Sequence, residues 1–448
     1  MITQAVIIAG GRGSRLGQQA QNLPKALVPV GDRPLLDHTL SLLQRHSVRE
    51  VVFCTGHLSE KIETYVGDGS SWGLRVSYSK EPSPLGTAGC LRRIDPAPAS
   101  DFLVVYADLL MELDLSAIAQ AHRENQADAT LLVHPNGHPY DSDLVDMDPA
   151  TEQIREIFRK PHPPGKWRAN LVSAAVYILH PRVLTLLAPA EKADCAHDLF
   201  PRALAAGYRL FGYRTAEYLK DIGTPERLRE AEDDLRSSRV SSSRRCKPRP
   251  AVFLDRDGVI NREVDLLHDP AELDLLPGAS EAIKRLNEAG WLTVVVTNQP
   301  VVARGLCDEN QVRNIHAKME WLLGSEGAFV DAIYYCPHHP AAGYAGENAA
   351  YKVACGCRKP ALGLIETAAR DYNIDIGSSY FVGDTTTDLQ TGRAAGMTSV
   401  LVRTGYGGTD KKYDVSPDHI ATDLFEAVEW IRMHSAPSSP SLSPVSQR

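Results

Sequence analysis

Twice along this chain, short runs of apolar and β-branched residues alternate with stretches of helical periodicity. In the first half the runs are AVIIA (5–9), EVVFCT (50–55), RVSYS (75–79) and FLVVYA (102–107), separated by helical segments such as 35–46 and 115–126. In the second half they are AVFLD (251–255), LTVVVTN (292–298), AIYYC (332–336), SYFVGD (379–384) and TSVLV (398–402), with helical segments such as 279–289 and 360–371. Strands this short and apolar are buried on both faces, which calls for helices on both sides of a parallel sheet. The pattern predicts an α/β chain of two Rossmann-like, three-layer α/β/α domains. Ligands of such sheets bind beyond the carboxyl ends of the strands, so chemistry is expected just after each run.

At 448 residues, 43% hydrophobic and 23% charged, the chain has room for two large domains with proper cores. Its net charge of −8 excludes a general nucleic-acid binder, whose affinity comes from a basic face. Small phosphorylated substrates need only local positive charge. No apolar run approaches the roughly 20 residues that span a bilayer, so no membrane partner is expected. The start, MITQAVIIAGG, lacks a basic stretch before its first apolar run and does not read as a signal peptide. A cytoplasmic chain is expected, with reduced thiols at Cys54, Cys90, Cys195, Cys246 and Cys307, which are scattered singly. The segment RSSRVSSSRRCKPRP (236–250) carries six basic residues and no acidic one, and is expected to be a flexible linker. Domains are therefore expected at 1–235 and 251–434, with a disordered tail at 435–448.

The first strand runs into AGGRGSRLGQQAQNLPKALVPV. Gly10, Gly11 and Gly13 allow a tight turn that presents N–H groups to an anion, and Arg15 and Lys25 supply the charge a triphosphate requires. The string lacks the G-K-[ST] of a P-loop and the closing acidic residue of a dinucleotide fingerprint. AGGRGSRL followed by LPKALVPV resembles the sugar-phosphate nucleotidyltransferases, and further elements follow in that family's order. These are EPSPLGTAG (81–89), VVYADLL (104–110), FRKP (158–161) and YLKDIGTPERL (218–228). The resemblance implies that Arg15 and Lys25 bind the triphosphate and that Gly86 and Thr87 contact the base or sugar. Asp108 and Asp221 would hold Mg²⁺, and Lys160 would contact the sugar phosphate. Two metal-binding carboxylates suit an in-line displacement at phosphorus. Two positions depart from the family: Ala107 replaces a Gly before the first metal aspartate, and Ser173-Ala174-Ala175 replaces Asn-Ala-Gly.

In the second half, AVFLDRDGVIN sets Asp255 at a strand end and Asp257 in the turn after it. Downstream lie Thr297 and Asn298 in VVVTNQ, Lys359 in CRKP, and Asp384 and Asp388 in FVGDTTTD. This order resembles the haloacid dehalogenase (HAD) superfamily. It implies that Asp255 attacks phosphorus to give an aspartyl phosphate, while Asp257 protonates the leaving alcohol and later deprotonates water. Mg²⁺ would lie among Asp255, Asp257 and Asp384, with Thr297, Asn298 and Lys359 on the substrate side. Asp388 would either join the site or order its loop. LDRDGVIN, TNQPVVARG and CPHHP…CGCRKP resemble the heptose bisphosphate and histidinol-phosphate phosphatases within that superfamily. This implies that Arg304 and Arg358 contact a distal phosphate. Pro300 and Val301 stand where that subgroup has Ser-Gly, beside the expected substrate.

Cys336-x-His338 and Cys355-x-Cys357 offer the donors of a Cys₃His structural Zn²⁺ site, closing a loop of 16 residues. A C-x-C spacing is not the thioredoxin-like C-x-x-C, and a disulfide is not expected in a cytoplasmic chain. His339 is an adjacent candidate, but the resemblance points to His338. Together the two resemblances imply a phosphatase for D-glycero-D-manno-heptose 1,7-bisphosphate joined to a heptose 1-phosphate guanylyltransferase, with GTP the favoured NTP. UTP, CTP or dTTP with another sugar phosphate is the alternative, as is one domain acting as an inactive nucleotide-sugar sensor.

Overall fold

The computed structural model describes residues 2–11, 16 and 22–435. Gly13 and Arg15, expected at the triphosphate, and the tail beyond Ser435 lie outside the described residues. The chain divides into two units, Met1–Arg249 and Pro250–Arg448.

In the first unit, the four runs read from sequence form a parallel block of a nine-stranded sheet. Their order across it is Arg75–Lys80, Glu50–Thr55, Gln4–Ala9, Phe102–Tyr106. Alternation sends Ala5, Ile7, Phe53 and Val105 into one core and Val6, Cys54 and Val104 into the core on the other face. Beyond Phe102–Tyr106 the sheet turns antiparallel, because Val172–Leu179 pairs antiparallel with both Phe102–Tyr106 and Ala129–His134. The sheet is thus mixed where a parallel one was expected. Helices Leu35–Arg45 and Leu115–Glu124 end within two residues of expectation. The second is capped by Asp114, which accepts from the Ser116 and Ala117 N–H groups.

The expected linker is instead built into this unit. Pro225–Arg236 is followed by a short helix, Arg239–Ser242, that buries Val240. Ser243 Oγ accepts from Tyr218 N, Arg245 N donates to Glu217 Oε1, and Arg249 donates to the Ala216 carbonyl. The basic side chains that suggested a solvated tether have partners: Arg239 bridges Asp234, and Arg244 bridges Glu112.

The second unit holds six parallel strands in the order Ala332–Cys336, Leu292–Asn298, Ala251–Leu254, Tyr380–Gly383, Thr398–Val402, His419–Ala421. The last has three residues, too few to leave a pattern in the sequence. From Ala251–Leu254 the chain steps outward twice, then crosses to Tyr380–Gly383 on the other side. The strand order therefore reverses between these two neighbours, opening a crevice at their carboxyl ends. Phe253 and Phe381 stack across that pair, 6.4 Å between centroids and 6° between planes. Among the described residues, no helix is long and apolar enough to cross a membrane.

Candidate active sites

Asp255 and Asp384 leave the two strands that flank the crevice, and the Asp255 N–H donates to the Val382 carbonyl at 3.0 Å. Asp388 lies in the first turn of Thr386–Ala395, in a capping box with Thr385. Carboxylate oxygens of Asp255, Asp384 and Asp388 lie within 4.8 Å of one another. Lys359, 4% exposed, reaches in from the loop before Gly363–Tyr372, with Nζ 3.0 Å from Asp255 and 2.6 Å from Asp388. Its backbone is clamped by Asn298, which accepts from Lys359 N at 3.0 Å and donates to its carbonyl at 3.2 Å. Gly258 and Gly405, both at positive φ, run so close to Asp384 that any side chain would strike its carboxylate.

Burial, then the charges of Asp388 and Asp257, lift Asp255 to about 7 against the pull of Lys359. Burial together with Asp388 and Asp255 lifts Asp384 to about 9. Three carboxylates, two of them buried, crowd one ammonium and repel one another, and an all-oxygen donor set of this kind fits Mg²⁺.

Asp257 is not in that group, although it was expected among the metal ligands. Its carboxylate accepts from Arg256 Nη2 at 2.8 Å on both oxygens, from Asn261 at 2.9 Å and from Gln299 at 2.8 Å. Burial alone would raise Asp257, but the Arg256 charge and these bonds hold it below the usual carboxylate range. Arg256 is fully buried and also donates to His316 Nε2 at 3.2 Å. Gln299 Nε2 is shared with Thr297 Oγ1 at 3.0 Å. Val301, in the departure from Ser-Gly, is buried with Val302 and Val312, anchoring the loop to helix Glu309–Ser325.

Beside the crevice, Cys336, His338, Cys355 and Cys357 form a group that could hold a metal ion. Their Sγ atoms lie 3.2, 3.3 and 3.6 Å apart, and His338 Nδ1 lies 3.3 Å from Cys357 Sγ. The three cysteines form no disulfide. His339 Nδ1 instead accepts from Ala341 N. Arg358 donates to the His338 carbonyl at 3.2 Å, so the group sits directly behind it. Burial, with Arg304 adding to it, lowers Arg358 from the ordinary guanidinium value.

In the first unit, Gly10 ends its strand against Gly56 and Glu81, where a Cβ would lie 3.1 Å from Glu81 Oε1. Lys25 Nζ donates to Asp108 Oδ2 at 3.1 Å. Asp221 pairs across the ladder with Leu109, next to Asp108, and takes an Arg227 bond at 2.6 Å. Both carboxylates therefore hold a cationic side chain. Gly86, at positive φ, abuts the Ala193 carbonyl. The Thr87 hydroxyl, expected at the substrate, donates to Asp194 Oδ2 at 2.7 Å and accepts from Cys195 N at 2.8 Å. It is largely spent inside the protein, tying Gly86–Arg92 to the segment opposite. Lys160 Nζ donates to the Asp141 side chain and carbonyl, while Asp143 accepts from Lys160 N at 3.1 Å and from His197 Nε2 at 2.6 Å. Cys54, Cys90 and Cys195, scattered singly along the sequence and free, share one core, and both Cys90 and Cys195 donate to the Thr87 carbonyl.

Residues 4–238, over half of the chain, match the nucleotidyl transferase family, and residues 356–427 match the HAD-hydrolase-like family. Over 197 residues this chain is 42% identical to the D-glycero-D-manno-heptose-1,7-bisphosphate 7-phosphatase of Thermosynechococcus vestitus, covering 42% of this chain and 99% of the relative. The chain belongs to the nucleotidyl transferases in its first half and to the HAD-like hydrolases in its second. Over 195 residues the D-glycero-beta-D-manno-heptose-1,7-bisphosphate 7-phosphatase of Escherichia coli K12 is 38% identical, covering 43% of this chain and 99% of its own. A crystal structure of D,D-heptose 1.7-bisphosphate phosphatase from B. bronchiseptica, complexed with magnesium and phosphate, is 37% identical. It covers 41% of this chain and 98% of its own, with a TM-score of 0.37.

In the HAD-like half, Gln299, Asn261 and Arg256 lie inside stretches already singled out, but nothing in their spacing reveals that they converge on Asp257. His316 lies 60 residues from Arg256, and only folding joins them. In the nucleotidyl transferase half, Arg227 lies inside a stretch already singled out, but nothing in it reveals the bond to Asp221. Asp143 lies 54 residues from His197, in the segment that Asp194 caps, and only folding joins them.

Proposed function

We propose that this chain carries out two consecutive steps on one sugar. The HAD-like half removes the distal phosphate of D-glycero-D-manno-heptose 1,7-bisphosphate. The nucleotidyl transferase half then joins the heptose 1-phosphate to a nucleotidyl group, with GTP the favoured donor and pyrophosphate the product. The observation that carries this reading is the 42% identity to a heptose bisphosphate phosphatase over nearly all of that protein's length, in a chain whose other half is a nucleotidyl transferase.

Asp255 attacks phosphorus and the sugar alcohol leaves, taking a proton from Asp257. Asp257 then takes a proton from water, which attacks the aspartyl phosphate and frees inorganic phosphate. To act as an acid, Asp257 must leave the Arg256–Asn261–Gln299 clamp, which favours its ionised form. Thr297, Asn298 and Lys359 hold the transferring phosphoryl group, and Arg304 and Arg358 receive the distant 1-phosphate. Mg²⁺ held by Asp255, Asp384 and Asp388 offsets charge between carboxylate and phosphate when bound. In the other half, the sugar phosphate oxygen attacks the α-phosphorus and the α–β bond breaks. Arg15 and Lys25 bind the triphosphate together with the N–H groups of Gly10, Gly11 and Gly13, and Lys160 meets the sugar phosphate. Asp108 and Asp221, which now hold Lys25 and Arg227, would hold Mg²⁺, which would offset charge on the triphosphate.

The Cys336, His338, Cys355 and Cys357 group is read as a structural Zn²⁺ site. A tetrahedral Zn–thiolate centre has sulfur–sulfur edges of about 3.8 Å, and the sulfurs here, at 3.2–3.6 Å, are close to that and far from a bond. The eight free cysteines suit a cytoplasmic enzyme. The test supplies heptose 1,7-bisphosphate with each NTP and looks for nucleotide-heptose by mass spectrometry. GDP-heptose is expected from the intact protein. Asp255→Asn abolishes it from the bisphosphate and spares it from the 1-phosphate; no nucleotide-heptose with any NTP overturns the reading.

A further inference from the structure

Tyr344 stands midway in the loop between the two halves of the cysteine–histidine group and supplies no ligand to it. The Arg304 guanidinium carbon lies 4.5 Å from its ring centroid and Lys352 Nζ lies 4.9 Å from it. His339 meets the same ring edge-on, at 6.4 Å and 89°. Three basic side chains thus converge on one aromatic ring that is itself 41% exposed.

The ring is held in place from both sides. Gly343 N and Tyr344 N donate to Glu347 Oε2 at 3.0 and 3.1 Å, and Lys352 bridges Glu347 at 3.1 Å. Asn348 N donates to the Ala303 carbonyl at 3.0 Å, and Gly305 runs so close to the Gly346 carbonyl that no side chain fits between them. Tyr335 and Tyr351 both donate to Glu309 at 2.6 Å, tying the far end of the loop to helix Glu309–Ser325. The backbone carrying Tyr344 is therefore locked to the backbone carrying Arg304.

Among the described residues Arg304 forms no ion pair with a carboxylate, and with Arg358 it faces His339. Two neighbouring guanidiniums repel and drift apart unless something holds them. A carboxylate would hold them but would neutralise the charge that an anion needs. An aromatic face attracts a cation while leaving its charge intact. We propose that Tyr344 is a positioning residue of the phosphatase: its ring holds Arg304 beside Arg358, ready for the distant phosphate of a bisphosphorylated sugar. This rests on the reading of those two arginines as the site of that phosphate.

The test uses the full-length, metal-loaded protein with two substrates, heptose 1,7-bisphosphate and p-nitrophenyl phosphate, which has no second phosphate. Y344A raises KM for the bisphosphate about fivefold, with kcat changed less than about twofold and little effect on p-nitrophenyl phosphate. Y344F restores the parent KM, because it keeps the ring face. R304A raises KM further, and adding Y344A to it changes nothing more. Equal losses on both substrates, a Y344F as poor as Y344A, or additive effects with R304A would each overturn the proposal. An R304A with unchanged bisphosphate KM removes the distant-phosphate reading as well. If R304A matters and Y344A does not, only the role of Tyr344 falls.

Discussion

The Lys359 ammonium lies 2.6 Å from Asp388, closer than the 3.0 Å that separates it from Asp255. Asp388 is 1% exposed and also closes the capping box of helix Thr386–Ala395. It orders the loop and aims the lysine at once. Asp388→Asn keeps the shape and removes the charge that holds Lys359 and faces the proposed Mg²⁺ site. Phosphatase kcat should fall about a hundredfold, the scale of losing one aimed donor to a developing anion, while nucleotidyl transfer is unchanged. Phosphate release from the bisphosphate measures the first, pyrophosphate release the second. A fully active D388N phosphatase would show that neither Lys359 nor the proposed Mg²⁺ needs that carboxylate.

Removing the Zn²⁺ proposed for the Cys336–His338–Cys355–Cys357 group should affect one half only. Arg358 rests on the His338 carbonyl, and Lys359 is the next residue, so losing the staple frees both. After chelation and return of Mg²⁺, phosphatase activity should be weakened and nucleotidyl transfer intact. The two activities before and after treatment, with the zinc content by mass spectrometry, decide it; parallel loss of both would refute the assignment.

Ala175 carries φ +55 in strand Val172–Leu179, where the pairing register with Ala129–His134 shifts. A left-handed residue with a Cβ is strained, and glycine is the usual occupant. Ala175→Gly trades that strain against a looser unfolded chain, with a net gain of about 0.5 kcal/mol. The transition to follow is the one that NTP shifts upward in a thermal scan. A lower midpoint would mean that the bulge tolerates alanine without strain.

His316 is buried against Arg256, and burial first, then the Arg256 charge, push it down to about 3. Its unfolded value is about 6.5. Above that value the imidazole is neutral in both states and stability is undiminished. As pH falls from about 6.5 toward 3, the unfolded chain takes up a proton that the folded one refuses, and stability is lost. His316→Gln keeps an acceptor for Arg256 and cannot titrate. Its thermal midpoint should fall less between pH 6.5 and 4.5 than the parent's; parallel curves would sink the assignment.

What the sequence by itself determined is the local part. Strand runs such as AVFLD and FLVVYA and the helices between them follow from short apolar, β-branched runs and helical periodicity, all readable within a dozen residues. The aspartates at strand ends follow from that same frame, and so does the paired C-x-H and C-x-C spacing. Only the tertiary structure decided what depends on distant partners. The basic segment 236–250 reads as a tether until Glu112, Asp234 and Glu217 are brought to its side chains and backbone. Thr87 reads as a substrate ligand until Asp194 and Cys195 take up its hydroxyl. Asp257 reads as a metal ligand until Arg256, Asn261 and Gln299 surround it. In each case the residue type and spacing fix what a side chain is able to bind. Which of those bonds it makes is set by the groups that folding places within about 3 Å, because hydrogen bonds and ion pairs fall away steeply beyond that reach.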